Sequence, residues 1–173
     1  MNVFTSMKKL VATCVMLVAS MSMMAEEATL SFADKAQRTT YSTSQQVWEQ
    51  NGIVFTNDKA SSTSNVGDYA NPVRLYKSSS LTITMKEGYE MTKIVFVGAG
   101  DSKYKTAIKA SLEKAGYVCT NSGNDYTVTL DPAVTSINIP EFTAQARLAS
   151  LTVTYNAEGG DNGNEGGEEG GEE

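Results

Sequence analysis

Leu81-Thr-Ile-Thr-Met85 alternates apolar residues with threonine without a break. In an extended chain this period puts Leu81, Ile83 and Met85 on one face and Thr82 and Thr84 on the other. Such a strand is half-buried, and it needs neighbours with the same pattern to cover its apolar face. Upstream, Thr29-Leu-Ser-Phe32 places Leu30 with Phe32, and Gly52-Ile-Val-Phe-Thr56 places Ile53 with Phe55. Val73-Arg-Leu-Tyr76 then runs through three serines into Leu81. Downstream, Asp125-Tyr-Thr-Val-Thr-Leu130, Ser136-Ile-Asn-Ile139 and Ala149-Ser-Leu-Thr-Val-Thr-Tyr155 continue the pattern. Lys93-Ile-Val-Phe-Val97 is more continuously apolar, which suits a central strand covered on both sides. About eight or nine short antiparallel strands separated by Gly, Asn, Ser and Asp are most simply covered by two facing sheets. The expected fold is therefore an all-β antiparallel sandwich.

One segment has a different period. Between Ser102 and Ala115 the residues Tyr104, Ala107, Ile108, Ser111, Leu112 and Ala115 recur at helical spacing, so one inserted helix is expected at an end or edge of the sandwich. Asp101 or Ser102 is placed to cap its start, and Gly116 to end it in the left-handed conformation. Lys103, Lys105, Lys109 and Lys114 form either a basic patch or a solvated helix face.

The chain divides into three parts. Residues 1–25 carry Lys8 and Lys9 followed by the apolar run Leu10–Ala19. That run is too short to span a bilayer and reads as a secretory signal, cleaved after Ala25. Residues 26–156 are long enough for one core. Residues 157–173 are a Gly/Glu tail in which Glu158–Glu173 holds seven acids and no base, expected to remain disordered and to add little to folding stability. Its Asp161-Asn-Gly-Asn-Glu165 lacks the ligand spacing of a calcium loop. Export to the periplasm, the cell surface or the medium follows from the signal, with no stable membrane insertion after cleavage. Cys14 leaves with the signal, so Cys119 is the only cysteine of the mature chain and burial must hold the domain without an internal disulfide. Apart from those seven acids, the mature chain has thirteen acids against twelve bases, which gives no overall positive field for nucleic acid.

The chain contains no histidine. This excludes Ser-His-Asp and Cys-His catalysis and histidine-rich zinc sites. Val97-Gly-Ala-Gly-Asp101 lacks the third glycine of a dinucleotide loop and reads as a tight turn; no cofactor or metal is expected. Carboxylate-pair hydrolysis needs only two acids, and Asp58, Asp68, Glu87, Glu90 and Asp101 fall in expected loops without any pair being singled out. The remaining recognition chemistry is aromatic. Trp48, Tyr69 and Tyr76 surround the polar stretch Asn57–Asn71, which also supplies Asn65 and Asp68. Aromatic rings stack on the apolar faces of sugars, while amide and carboxylate groups hold their hydroxyls. Trp48 and Tyr76 read more readily as core or sandwich-end packing than as ligand contacts, whereas Tyr69, within the loop itself, is the better exposed candidate. Arg74 is placed to pair with a nearby acid.

The order Trp48…Gly52-Ile-Val-Phe55, Asn71-Pro-Val-Arg-Leu-Tyr76 with Ser78-Ser-Ser-Leu-Thr-Ile83, Thr92-Lys-Ile-Val-Phe96 and Gln145-Ala-Arg-Leu-Ala-Ser-Leu-Thr-Val-Thr-Tyr155 resembles β-sandwich modules of secreted and surface proteins of Bacteroidetes bacteria. The resemblance covers nearly all of the expected domain. Such modules occur beside nucleases, glycan-degrading domains or adhesin-like repeats, and their own activity is generally not established. It implies a jelly-roll-like architecture and export, and it carries no catalytic residues to transfer. The expected function is a non-catalytic binding or adhesion module whose partner is a glycan or cell-surface component. The alternatives are a carboxylate-dependent polysaccharide hydrolase and a structural spacer without a ligand.

Overall fold

The alternating segment forms a strand, Ser80–Met85, in which Leu81 and Ile83 are 0% exposed. It sits within a two-sheet antiparallel sandwich in the computed structural model, which describes residues 25–157. The rest of the expected signal and residues 158–173 lie outside the described residues. The strands are β1 (Glu26–Ser31), β2 (Arg38–Tyr41), β3 (Gln45–Gln50), β4 (Ile53–Asp58), β5 (Val73–Leu75), β6 (Ser80–Met85) and β7 (Tyr89–Gly98). They continue as β8 (Cys119–Ser122), β9 (Asp125–Val134), β10 (Ser136–Ile139) and β11 (Ala146–Ala157), with α1 (Ser102–Lys114) between β7 and β8.

One sheet has the order β10-β6-β4-β3-β2. The other runs β1-β11-β7-β9-β8, with β5 also paired to β11. The long β11 thus has β7 along one side, while β1 and then β5 share the other: Ser150–Tyr155 pair with β1 and Ala146–Leu148 with β5. The chain crosses between sheets at β1–β2, at both ends of β5, at β6–β7 and at both ends of β10. This interleaving closes the apolar faces on each other and gives the sandwich its jelly-roll-like course. Phe32, Trp48 and Phe55 form an aromatic centre, with ring centroids 5.3 Å apart for Phe32–Trp48 and 4.8 Å for Phe32–Phe55.

There are eleven strands rather than eight or nine. The three additional ones, β2, β3 and β8, carry few apolar residues, because β2 and β8 are edge strands and β3 buries Gln46 beside Trp48. Lys93–Val97 is central in its sheet, yet only Ile94 and Phe96 are buried while Val95 and Val97 stay half-buried. Its outer face is partly open, not covered on both sides.

α1 follows the expected span and buries Ala107, Ile108, Ser111 and Leu112. Its end is a Schellman turn: Gly116, at φ +92°, donates from N to Glu113 O at 3.0 Å, and Tyr117 N donates to Leu112 O at 3.0 Å. Asp101 occupies the N-cap position, but its side chain makes no capping hydrogen bond. Lys103 stacks on Tyr104, Lys105 donates to Asn124, Lys109 reaches Glu113 and the Cys119 carbonyl, and Lys114 pairs with Glu141. The four lysines are thus dispersed among separate partners and do not form one patch. Among the described residues no helix is long and apolar enough to cross a membrane.

Cys119 is buried on the inner side of β8, and desolvation pushes its thiol above the usual cysteine range, outweighing the nearby Lys109. Thiolate is therefore scarce near neutral pH. Iodoacetamide is expected to modify the native protein much more slowly than the urea-unfolded chain at the same pH. Equal rates would mean that the β8 edge is open in solution.

Candidate functional site

The polar stretch after β4 is not a free loop. Lys59 N donates to Ser44 O at 2.7 Å and Val66 N to Thr43 O at 2.8 Å, tying it to the β2–β3 turn. Its own Val66 and Ala70 are buried. Two inward-facing polar side chains hold its far end. Gln46 on β3, 0% exposed, donates from Nε2 to Gly67 O at 2.7 Å and Tyr69 O at 3.2 Å. Asn57 on β4 donates from Nδ2 to Arg74 O at 3.1 Å. A buried amide is costly unless paired; here the NH2 group of each fastens the backbone that carries an outward side chain, while its oxygen is enclosed without a hydrogen bond.

Tyr69 is that side chain on the loop, 40% exposed. Arg74 backs it, with its Cζ 3.5 Å from the ring centroid. Arg74 forms no ion pair among the described residues, so the expected pairing with an acid is replaced by stacking on tyrosine. Directly opposite Arg74 in the β5–β11 register stands Arg147. Its neighbours Ala146 and Leu148 point inward, as Val73 and Leu75 do beside Arg74, so both arginines project from the outer face of the sheet. Arg147 stacks on Tyr104 of α1, at 3.6 Å from the centroid. The result is a row of Tyr69, Arg74, Arg147 and Tyr104.

The other expected site residues take different places. Trp48 is 0% exposed and packed edge-on to Phe32, so it belongs to the core and offers no surface for a ligand. Tyr76 is half-buried, and its carbonyl accepts from Ser79 N at 3.0 Å and Oγ at 2.7 Å, fixing the turn into β6. Asn65 is exposed and accepts from Lys59 Nζ at 2.8 Å. Asp68 is hydrogen-bonded by Arg38 and lies 3.5 Å from Lys35. The Arg38 hydrogen bond holds its carboxyl below the usual aspartate range. Its oxygens are thus engaged in binding the loop to β2, and Arg38 in turn lies over the Tyr41 ring, 4.7 Å from its centroid. Of the five residues, the structure leaves Tyr69 and Asn65 outward and beside the loop surface, with Asp68 in an ion pair between them and β2.

Two grooves flank the helix. One, of about 440 Å³, is lined by Ser61, Ser78, Lys114, Ala115, Pro140 and Glu141. The other, of about 210 Å³, is lined by Thr106, Lys109, Ala110, Glu113, Asn121 and Tyr126. Each contains one carboxylate, ion-paired to a lysine. Lys114 holds Glu141 below the usual glutamate range, the opposite direction from a carboxyl tuned as a proton donor.

Arg147 and Tyr104 were not legible as site residues. Val73-Arg-Leu75 and Ala146-Arg-Leu148 share an apolar-Arg-apolar pattern that marks two outward arginines, but only the pairing of distant strands brings them together. Comparison of the chain with protein-family models, with curated proteins and with solved structures finds no match.

Proposed function

We propose that this protein is an exported, non-catalytic binding module that takes a glycan on the face carrying Tyr69. The observation that carries the reading is an exposed tyrosine on a loop whose carbonyls are held by the buried Gln46. A ring fixed before binding loses little freedom when a ligand stacks on it, and tyrosine offers both an apolar face and a hydroxyl. The test is retention of the mature chain on an array of immobilised glycans. Tyr69→Ala is expected to weaken retention about tenfold with little change in thermal unfolding, and Tyr69→Phe to keep most of it. Release of reducing ends from a bound polysaccharide would replace this reading with hydrolysis. Absence of retention on every glycan would leave a spacer.

A further inference from the structure

We propose that Arg74 and Arg147, side by side between Tyr69 and Tyr104, bind the acid groups of an acidic polysaccharide, carboxylate or sulfate. The inference rests on the glycan-binding reading above and names the class of glycan.

The two residues are direct cross-strand partners, and like charges in that position repel. Among the described residues no acid forms an ion pair with either of them. The ion pairs there engage Lys35, Arg38, Lys93, Lys109 and Lys114, and neither Arg74 nor Arg147. The first turn of α1, beside Arg147, contains no acid, and the carboxylate of Asp101 at its N-cap makes no ion pair. Gly100 brings the chain alongside the guanidinium: a Cβ there would lie 3.4 Å from Arg147 Nη1.

What is unpaired is also pre-oriented. Each guanidinium Cζ lies over a tyrosine ring, at 3.5 Å and 3.6 Å from the ring centroid. Each Nε is enclosed and makes no hydrogen bond, and the Nη groups have no partner among the described residues. Two forks held in this way suit planar or tetrahedral oxyanions, which accept paired hydrogen bonds from one guanidinium. Adjacent forks with flanking tyrosines match a polymer that repeats an acid group beside a sugar face. A nucleic acid would call for a longer basic groove tracking the phosphates.

The experiment titrates the mature chain with polygalacturonate, dextran sulfate, neutral dextran and single-stranded oligothymidylate at fixed ionic strength. Binding to polygalacturonate or dextran sulfate is expected, and R74Q/R147Q should weaken it about ten- to a hundredfold without lowering the unfolding midpoint. R74K/R147K should recover only part of it, because lysine keeps the charge and loses the fork. The charge-matched control K93Q/K109Q should bind like the parent. Equal loss in that control, or oligothymidylate bound as tightly as the acidic glycans, would overturn the inference in favour of bulk charge or a polyphosphate. Binding that appears only after removal of residues 158–173 would make those acids the occupant. Retention on neutral glycans that needs Tyr69 but ignores R74Q/R147Q would end this inference and leave the glycan reading standing; no retention on any glycan ends both.

Discussion

Ile83→Asp is expected to destabilise the sandwich severely, lowering its unfolding midpoint far below that of the parent. Ile83 is 0% exposed on β6 and faces Phe55 of β4 and Ile137 of β10 in register. Both neighbours are themselves core residues at 0% and 2% exposure. A carboxylate there would have no donor to pair with, and even after taking up a proton it would leave polar oxygens among hydrocarbon. A loss exceeding about 4 kcal/mol is expected, against a total stability on the order of 5–15 kcal/mol for a domain of this kind. The cross-check is Thr82→Asp on the same strand. Thr82 points outward and its hydroxyl is 3.4 Å from Asn138 Oδ1 at the surface, so the cost should stay within about 1 kcal/mol. Circular dichroism during heating reads both. Similar melting of the two variants would mean that β6 does not present alternate faces to core and water.

That contrast explains which parts of the fold were legible. Wherever the inward positions of a strand are apolar, as at Leu81, Ile83 and Met85 or at Leu151 and Val153, period two in the sequence reads directly as burial. β3 breaks the correspondence because one of its inward positions is Gln46, which is buried in order to bind carbonyls of the Tyr69 loop. The signal that hid β3 is therefore the same feature that shapes the candidate site. The loop itself was legible as a long polar segment, and Tyr69 as its exposed aromatic residue. The roles of Asp68 and Arg74 were not, since a charged residue in a loop or strand carries no indication of its partner. Asp68 turned out to face Arg38 of β2 and Arg74 to face Tyr69; both contacts follow from the way distant segments close on each other. The Arg74–Arg147 pair depends on β5 adding to the same edge of β11 as β1, a topological choice with no local sequence signature.

Trp48→Ala should destabilise the protein by about 3–5 kcal/mol, and Trp48→Phe by only about 1 kcal/mol. Trp48 is the chain's sole tryptophan and is 0% exposed. Its ring meets Phe32 at 77° with centroids 5.3 Å apart, and Phe32 in turn packs on Phe55. Truncation to alanine opens a cavity at the point where β3 and β4 meet the chain leaving β1, and the flanking aromatic rings are too constrained by their own strands to fill it. Phenylalanine keeps most of the contact area. It also removes the indole N–H, which is enclosed without a hydrogen-bond partner, so the variant loses no hydrogen bond and sheds an unpaired donor. Urea unfolding followed by circular dichroism measures both variants, since tryptophan fluorescence disappears with the residue. The pair also separates packing from recognition. If Trp48 acts only in the core, Trp48→Phe retains the parent's glycan affinity while Tyr69→Ala loses it at nearly unchanged stability. Weakened binding in a Trp48→Phe protein of parental stability would show that the indole reaches the ligand, and the core would then have to open on the Tyr69 side to let it.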